Sequence, residues 1–100
     1  MEKNPLSISK RRIASFCQKR HIVSLALFGS ILTPHFSAKS DIDVLVKFEK
    51  RHTPSLFDMV DMEEELSALV GRKVDLKTAE DLSRYFRDEV VAQAKVLYAK

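Results

Sequence analysis

The apolar positions of this chain fall into short runs whose period changes at turn residues. After Ser9, "KRRIASFCQKR" repeats apolar side chains at the i, i+3, i+4 spacing (Ile13, Phe16 and Cys17). That spacing predicts an amphipathic helix capped by Ser7 or Ser9 and running to about His21. "IVSLALF" has no such period; a branched and aromatic run stopped by Gly29 predicts a buried strand. "DIDVLVKF" alternates, so a second strand would bury Ile42, Val44 and Val46 on one face and carry Asp41 and Asp43 on the other. Helical period returns in "LFDMVDMEEELSALV", where Met59, Met62, Leu66, Leu69 and Val70 form a stripe between a capping Ser55 and a terminating Gly71. "KVDLK" alternates again and predicts a third strand with Asp75 pointing away from Val74 and Leu76. From Thr78 onward Leu82, Phe86, Val90 and Ala94 fall in line at helical spacing, which predicts a last helix. Helix, strand, strand, helix, strand, helix is the order of a small α/β sheet of three to four strands flanked by helices.

One hundred residues, 45% of them hydrophobic, support a single domain over residues 1–100. A net charge of +3 names no partner. Lys10, Arg11, Arg12, Lys19 and Arg20 have no aromatic residues interleaved with them, so they read as a solvated helix face and argue against direct nucleic-acid binding. The lone Cys17 cannot form an internal disulfide and reads as a core residue, and the opening "MEKNPLSISK" has no apolar stretch of the secretory kind. Apolar runs such as "LALF" and "VLV" are far too short to span a membrane, so a cytoplasmic protein is expected. The methionine stripe reads as core filler. Glu63, Glu64 and Glu65 point in different directions from a helix and read as a wet face, not a metal site.

Chemistry concentrates where strands end. Asp41 and Asp43, roughly 7 Å apart along a strand, can converge on one hard cation or bridge a pair of them. Mg²⁺ suits such a pair, because it prefers oxygen, keeps several waters and takes only one or two protein carboxylates together with substrate phosphates. Asp75 joins them if the third strand lies beside the second. Gly29 and Ser30 follow the first strand: glycine lets the backbone approach a phosphate, the next N–H groups can point at its oxygens, and the serine hydroxyl adds a donor. A phosphate cradle beside an acidic, metal-binding face describes a nucleoside triphosphate site.

Gly29-Ser30, ten intervening residues and then Asp41-Ile42-Asp43 resemble the Gly-Ser-x10-Asp-x-Asp signature of the minimal nucleotidyltransferase (MNT) family, within the DNA polymerase β-like superfamily. "TPSLFDMVDMEEELSALVGRKVDL" is similar to that family's helix and third strand. The resemblance implies a nucleotidyltransferase fold with a small mixed, polymerase β palm-like sheet. It also implies an antitoxin that assembles with a HEPN-domain ribonuclease toxin and transfers AMP from ATP to a toxin tyrosine. Carried over by position, Asp41 and Asp43 would hold two Mg²⁺ ions, Asp75 would be the third carboxylate and the base for the attacking hydroxyl, and Gly29 and Ser30 would hold the triphosphate. Family members commonly continue with an "x-Ala-Arg-Gly" stretch, whereas this chain has Ile31, Leu32, Thr33 and Pro34. The bidentate phosphate contact of that arginine is therefore absent. His35 or Lys39 stand nearby as substitutes, and both also read as solvated loop residues. The alternative expectation is the same fold with a weakened pocket, an antitoxin that blocks its toxin by stoichiometric binding.

Overall fold

Ser9 starts the first element. In the computed structural model of the chain, which describes residues 9–37 and 39–100, its hydroxyl accepts the Arg12 N–H at 3.4 Å and caps helix α1, Lys10–Lys19. The other candidate cap, Ser7, lies outside the described residues. α1 stops two residues short of the expected end, because His21 adopts φ 59° and turns the chain into strand β1, Ile22–Phe28. A 3-10 turn, Gly29–Leu32, leads on through a loop to β2, Ile42–Phe48. Helix α2, Leu56–Val70, opens with a reciprocal Ser55–Asp58 capping box and closes on Gly71 at φ 74°, the left-handed cap that glycine adopts without a Cβ penalty. β3, Val74–Lys77, a 3-10 turn, Ala79–Asp81, helix α3, Arg87–Gln93, and β4, Lys95–Ala99, complete the order.

The sheet runs β3-β2-β1-β4, with β1 antiparallel to both β2 and β4, and β2 parallel to β3. α1 and α2 cover one face. Leu25, Leu27, Ile42, Val44, Val46, Val74 and Leu76 pack there with Ile13, Phe16, Cys17, Met62 and Leu66. Met59, Leu69 and Val70 line the margin of this core. Burial pushes the Cys17 thiol up to about 12, which leaves it a packing group with little thiolate character. No helix among the described residues is long and apolar enough to cross a membrane.

β3 is an edge strand, and α2 covers that edge with side chains. The Val74 N–H donates to Ser67 Oγ at 2.9 Å and the Leu76 N–H to Glu63 Oε2 at 2.8 Å, satisfying donors that would otherwise face outward unpaired. Glu65 accepts Lys19 Nζ and Arg20 Nη2, each at 2.7 Å, and ties the end of α1 to α2. The expected wet face therefore reduces to Glu64, because the helix packs with its polar flank against β3 and the basic end of α1.

The continuous helix expected from Thr78 onward does not form. Only Arg87–Gln93 is α-helical, and "KVLYA" instead pairs with β1, Leu25 opposite Tyr98 and Leu27 opposite Lys95. β1 would otherwise end the sheet with a row of unpaired backbone groups; satisfying that row with a segment carrying Val96, Leu97 and Tyr98 outweighs local helical period. Phe86, in the expected stripe, is 58% exposed.

Candidate active site

Asp43 is set into the sheet by its neighbours. In register it stands opposite Asp75 on the parallel strand β3 and opposite Phe28 on the antiparallel strand β1. Ile42 and Val44 are fully drawn into the core, so alternation sends Asp43 and Asp75 together to the other face. Asp41 precedes β2 by one residue and follows the same alternation. Its side chain is 50% exposed and that of Asp75 is 42% exposed. Partial burial raises the Asp43 carboxyl above the usual carboxylate range; the charge of Asp75 pushes further in the same direction and Asp41 adds a smaller push, while Lys77 pulls it down.

Two lysines counter these charges. Lys77 Nζ lies 3.8 Å from Asp75 Oδ2, and Lys73 Nζ lies 3.9 Å from Asp41 Oδ2. Neither was singled out from the sequence, although the alternation of "KVDLK" already puts Lys73, Asp75 and Lys77 on one face.

Gly29 is required here for two physical reasons. Its φ is 76°, and a Cβ at this position would overlap Asp43 Oδ2 and come within 3.2 Å of Asp43 Cγ. This closeness follows from the register: Phe28 faces Asp43, so the next residue of the turn abuts the carboxylate. Ser30 comes next, half-buried in the 3-10 turn, and its carbonyl accepts both the Thr33 N–H at 2.9 Å and the Thr33 hydroxyl at 2.8 Å. Thr33 thus closes the turn at the point where the family carries its arginine-containing stretch. His35 and Lys39 are exposed, and among the described residues no hydrogen bond or ion pair ties either side chain to the acidic cluster.

Arg72 anchors the loop that delivers Asp41. Its Nη2 donates to the carbonyls of Ser37 at 2.6 Å and Ser40 at 2.7 Å, and its guanidinium lies 4.4 Å over the Phe36 ring. The Ile42 N–H then donates to the Lys73 carbonyl at 2.9 Å.

The donor set suits Mg²⁺. It consists of carboxylate oxygens, two of the three side chains are about half exposed, and like-charge crowding at Asp43 is a strain that a divalent cation relieves. The three carboxylates do not all bring ligand oxygens within 4.8 Å of one another. A separate groove of about 1040 Å³, with Leu45, Phe48, Met59 and Val91 among its lining residues, reaches none of Gly29, Asp41, Asp43 or Asp75.

The family profile described as "Polymerase beta, Nucleotidyltransferase" matches residues 11–100. A protein of Methanocaldococcus jannaschii named "Putative protein adenylyltransferase MJ0435" is 31% identical over 85 residues, 85% of this chain and 89% of that protein. "Protein adenylyltransferase MntA" of Thermococcus cleftensis is 42% identical over 52% of this chain and 50% of its own length. The chain spans only 50 to 64% of the length of four of the five curated relatives it matches. Among solved structures, a toxin–antitoxin with AMP-PNP superposes with a TM-score of 0.72 at 22% identity, covering 93% of this chain and 75% of that one. A tri-AMPylated Shewanella oneidensis HEPN toxin in complex with MNT antitoxin superposes with a TM-score of 0.64 at 22% identity, covering 91% and 70%. At these identities the superpositions show a shared fold.

Proposed function

The chain belongs to the polymerase beta nucleotidyltransferase family, and from that premise we propose that it is a minimal nucleotidyltransferase antitoxin that transfers AMP from ATP to a tyrosine of a HEPN ribonuclease toxin. The observation that carries this reading is the register of the sheet. It sets Asp43 opposite Asp75 and brings Gly29 against Asp43, so the glycine turn and the acidic pair meet at one end of two strands. The relatives named as adenylyltransferases, and the superposed toxin–antitoxin structures with AMP-PNP and with an AMPylated HEPN toxin, support the same assignment.

In this reading Asp41 and Asp43 would hold two Mg²⁺ ions. Bound there, the ions supply neutralisation of the charge on the α-phosphate and on the leaving pyrophosphate. Gly29 and Ser30 receive the triphosphate: the first N–H groups of a 3-10 turn have no partner within it, and the Ser30 hydroxyl adds a donor. Asp75 accepts the proton of the attacking tyrosine hydroxyl. The new bond forms between that oxygen and the α-phosphorus while the bond to pyrophosphate breaks in line. Lys73 and Lys77 offset the carboxylate charge in the absence of nucleotide.

A second reading, an antitoxin that blocks its toxin by contact alone, draws on the Thr33 bonds to Ser30 where an arginine would otherwise serve phosphate. Stoichiometry separates the two. With ATP and Mg²⁺, the wild-type protein should silence a molar excess of its HEPN ribonuclease, and Asp43→Asn, which keeps shape but removes a ligand, should act only near equimolar ratio. Identical stoichiometry for both proteins favours the blocker.

A further inference from the structure

The far end of the sheet gathers a second set of metal-binding atoms. β1 and β2 pair Phe28 with Asp43 at one end and Ile22 with Phe48 at the other. His21 and Glu49, just beyond that other end, are therefore about 20 Å from Asp43 at the usual rise per strand residue. Backbone hydrogen bonds fix three positions in a chain: the Glu49 N–H donates to the His21 carbonyl at 2.9 Å, and the His52 N–H donates to the Glu49 carbonyl at 2.9 Å. The two imidazoles stack with centroids 3.6 Å apart and planes 9° from parallel. His21 Nδ1 lies 3.5 Å from Glu49 Oε2, and one ligand atom from each of His21, Glu49 and His52 lies within 4.8 Å of the other two. Lys100 Nζ holds the other oxygen, Glu49 Oε1, at 2.7 Å, which leaves Oε2 turned to the imidazoles.

We propose that His21, Glu49 and His52 form a binding site for a divalent transition-metal ion, Zn²⁺ in particular, separate from the acidic cluster. Two imidazole nitrogens and one carboxylate oxygen are a borderline donor set that suits Zn²⁺ far better than Mg²⁺, and three protein ligands leave a fourth position for water. A hollow of about 200 Å³ beside the histidines, reaching Thr53 and Asp58, has room for that water. Lys19 and Arg20 also border it, and both are bonded to Glu65, which offsets their charge. Stacked rings direct their lone pairs in parallel, so convergence on one ion requires one ring to turn. The His21 side chain is 49% exposed and His52 is exposed, so that turn moves through solvent and not through packed atoms. The ion would staple the end of α1 to the loop between β2 and α2.

The test uses the full chain, stripped of metal with a chelator, without ATP. Zn²⁺ is titrated against a chromophoric zinc indicator, and Co²⁺ is followed by its d–d absorption bands. One equivalent should bind, excess Mg²⁺ should not compete, and Asp41→Asn with Asp43→Asn should leave the affinity unchanged. His52→Gln, in an exposed loop, should weaken binding on the order of 100-fold or more, since even outer-shell changes cost about 10- to 100-fold. His21→Asn should do the same, asparagine being chosen because it tolerates positive φ. Should that variant fail to fold, His52→Gln decides alone. No stoichiometric Zn²⁺ binding, binding that survives His52→Gln, or binding lost with the aspartates overturns the proposal.

Discussion

Gly29 and Gly71 offer a controlled comparison, because their backbones are nearly the same and their surroundings are not. Gly29 has φ 76° with the Asp43 carboxylate in the path of any Cβ, and Gly71 has φ 74° with nothing within 4 Å. Holding alanine in the left-handed region costs about 1–2 kcal/mol, and the stiffer unfolded chain returns about 0.4–1 kcal/mol of it. Gly71→Ala should therefore destabilise the domain by about 1 kcal/mol. Gly29→Ala carries the same cost and must also turn the Asp43 carboxylate out of its well, another ~0.5–1.5 kcal/mol. At ~4–8 °C per kcal/mol for a domain of this size, thermal melts of the two variants should differ by several degrees. Repeating both substitutions on an Asp43→Ala background closes a double-mutant cycle: the excess at Gly29 should vanish, because the two nearest atoms, Asp43 Oδ2 and Cγ, are gone and the Asp43 Cβ at 3.4 Å is an ordinary contact. If Gly29→Ala costs no more than Gly71→Ala, or if the excess persists without the carboxylate, the contact that defines the site is not what demands the glycine.

Burial first, and Asp75 second, raise the folded-state pKa of Asp43, so its contribution to stability is complete below the unfolded pKa and lost as pH rises through the folded one. In Mg²⁺-free buffer at neutral pH, Asp43→Asn should therefore stabilise the domain by about 0.2–1 kcal/mol, the size of a cross-strand like-charge term, and the gain should disappear in acid; urea midpoints at the two pH values check this. Mg²⁺ at ten times its dissociation constant should add about 1.4 kcal/mol to wild-type stability and nothing to the Asp41→Asn, Asp43→Asn double variant; equal Mg²⁺ dependence of their melting temperatures would move the metal elsewhere.

Much of this molecule is legible from local pattern, and the illegible part has a common cause. β2, β3 and α2 each carry their own period, β1 reads as an apolar run stopped by Gly29, and Ser55 and Gly71 bracket α2. The alternation around Asp41, Asp43 and Asp75 also contains the charge balance with Lys73 and Lys77, which needed only the same rule applied to the lysines. The C-terminal segment defeats local reasoning because its conformation is decided by the free edge of β1, whose need for partners is not written in "KVLYA" itself. Arg72, Glu63 and Glu65 are equally silent in one dimension. Arg72 grips a loop more than thirty residues away, Glu63 serves an edge N–H of β3, and Glu65 reaches back to α1. Tertiary contacts of this kind convert ordinary surface residue types into structural ones.

The transfer itself is tested most directly with position-labelled ATP. The protein is incubated with the HEPN ribonuclease proposed as its partner, Mg²⁺ and ATP carrying radioactive phosphorus at either the α or the γ position, and the HEPN chain is separated and counted. Label should pass to that chain from the α position and not from the γ position, in amounts exceeding the protein present, and Asp43→Asn should abolish it. Labelling from the γ position, or no labelling of a HEPN chain that is nevertheless silenced, would contradict an adenylyl-transfer site built on Gly29, Asp43 and Asp75.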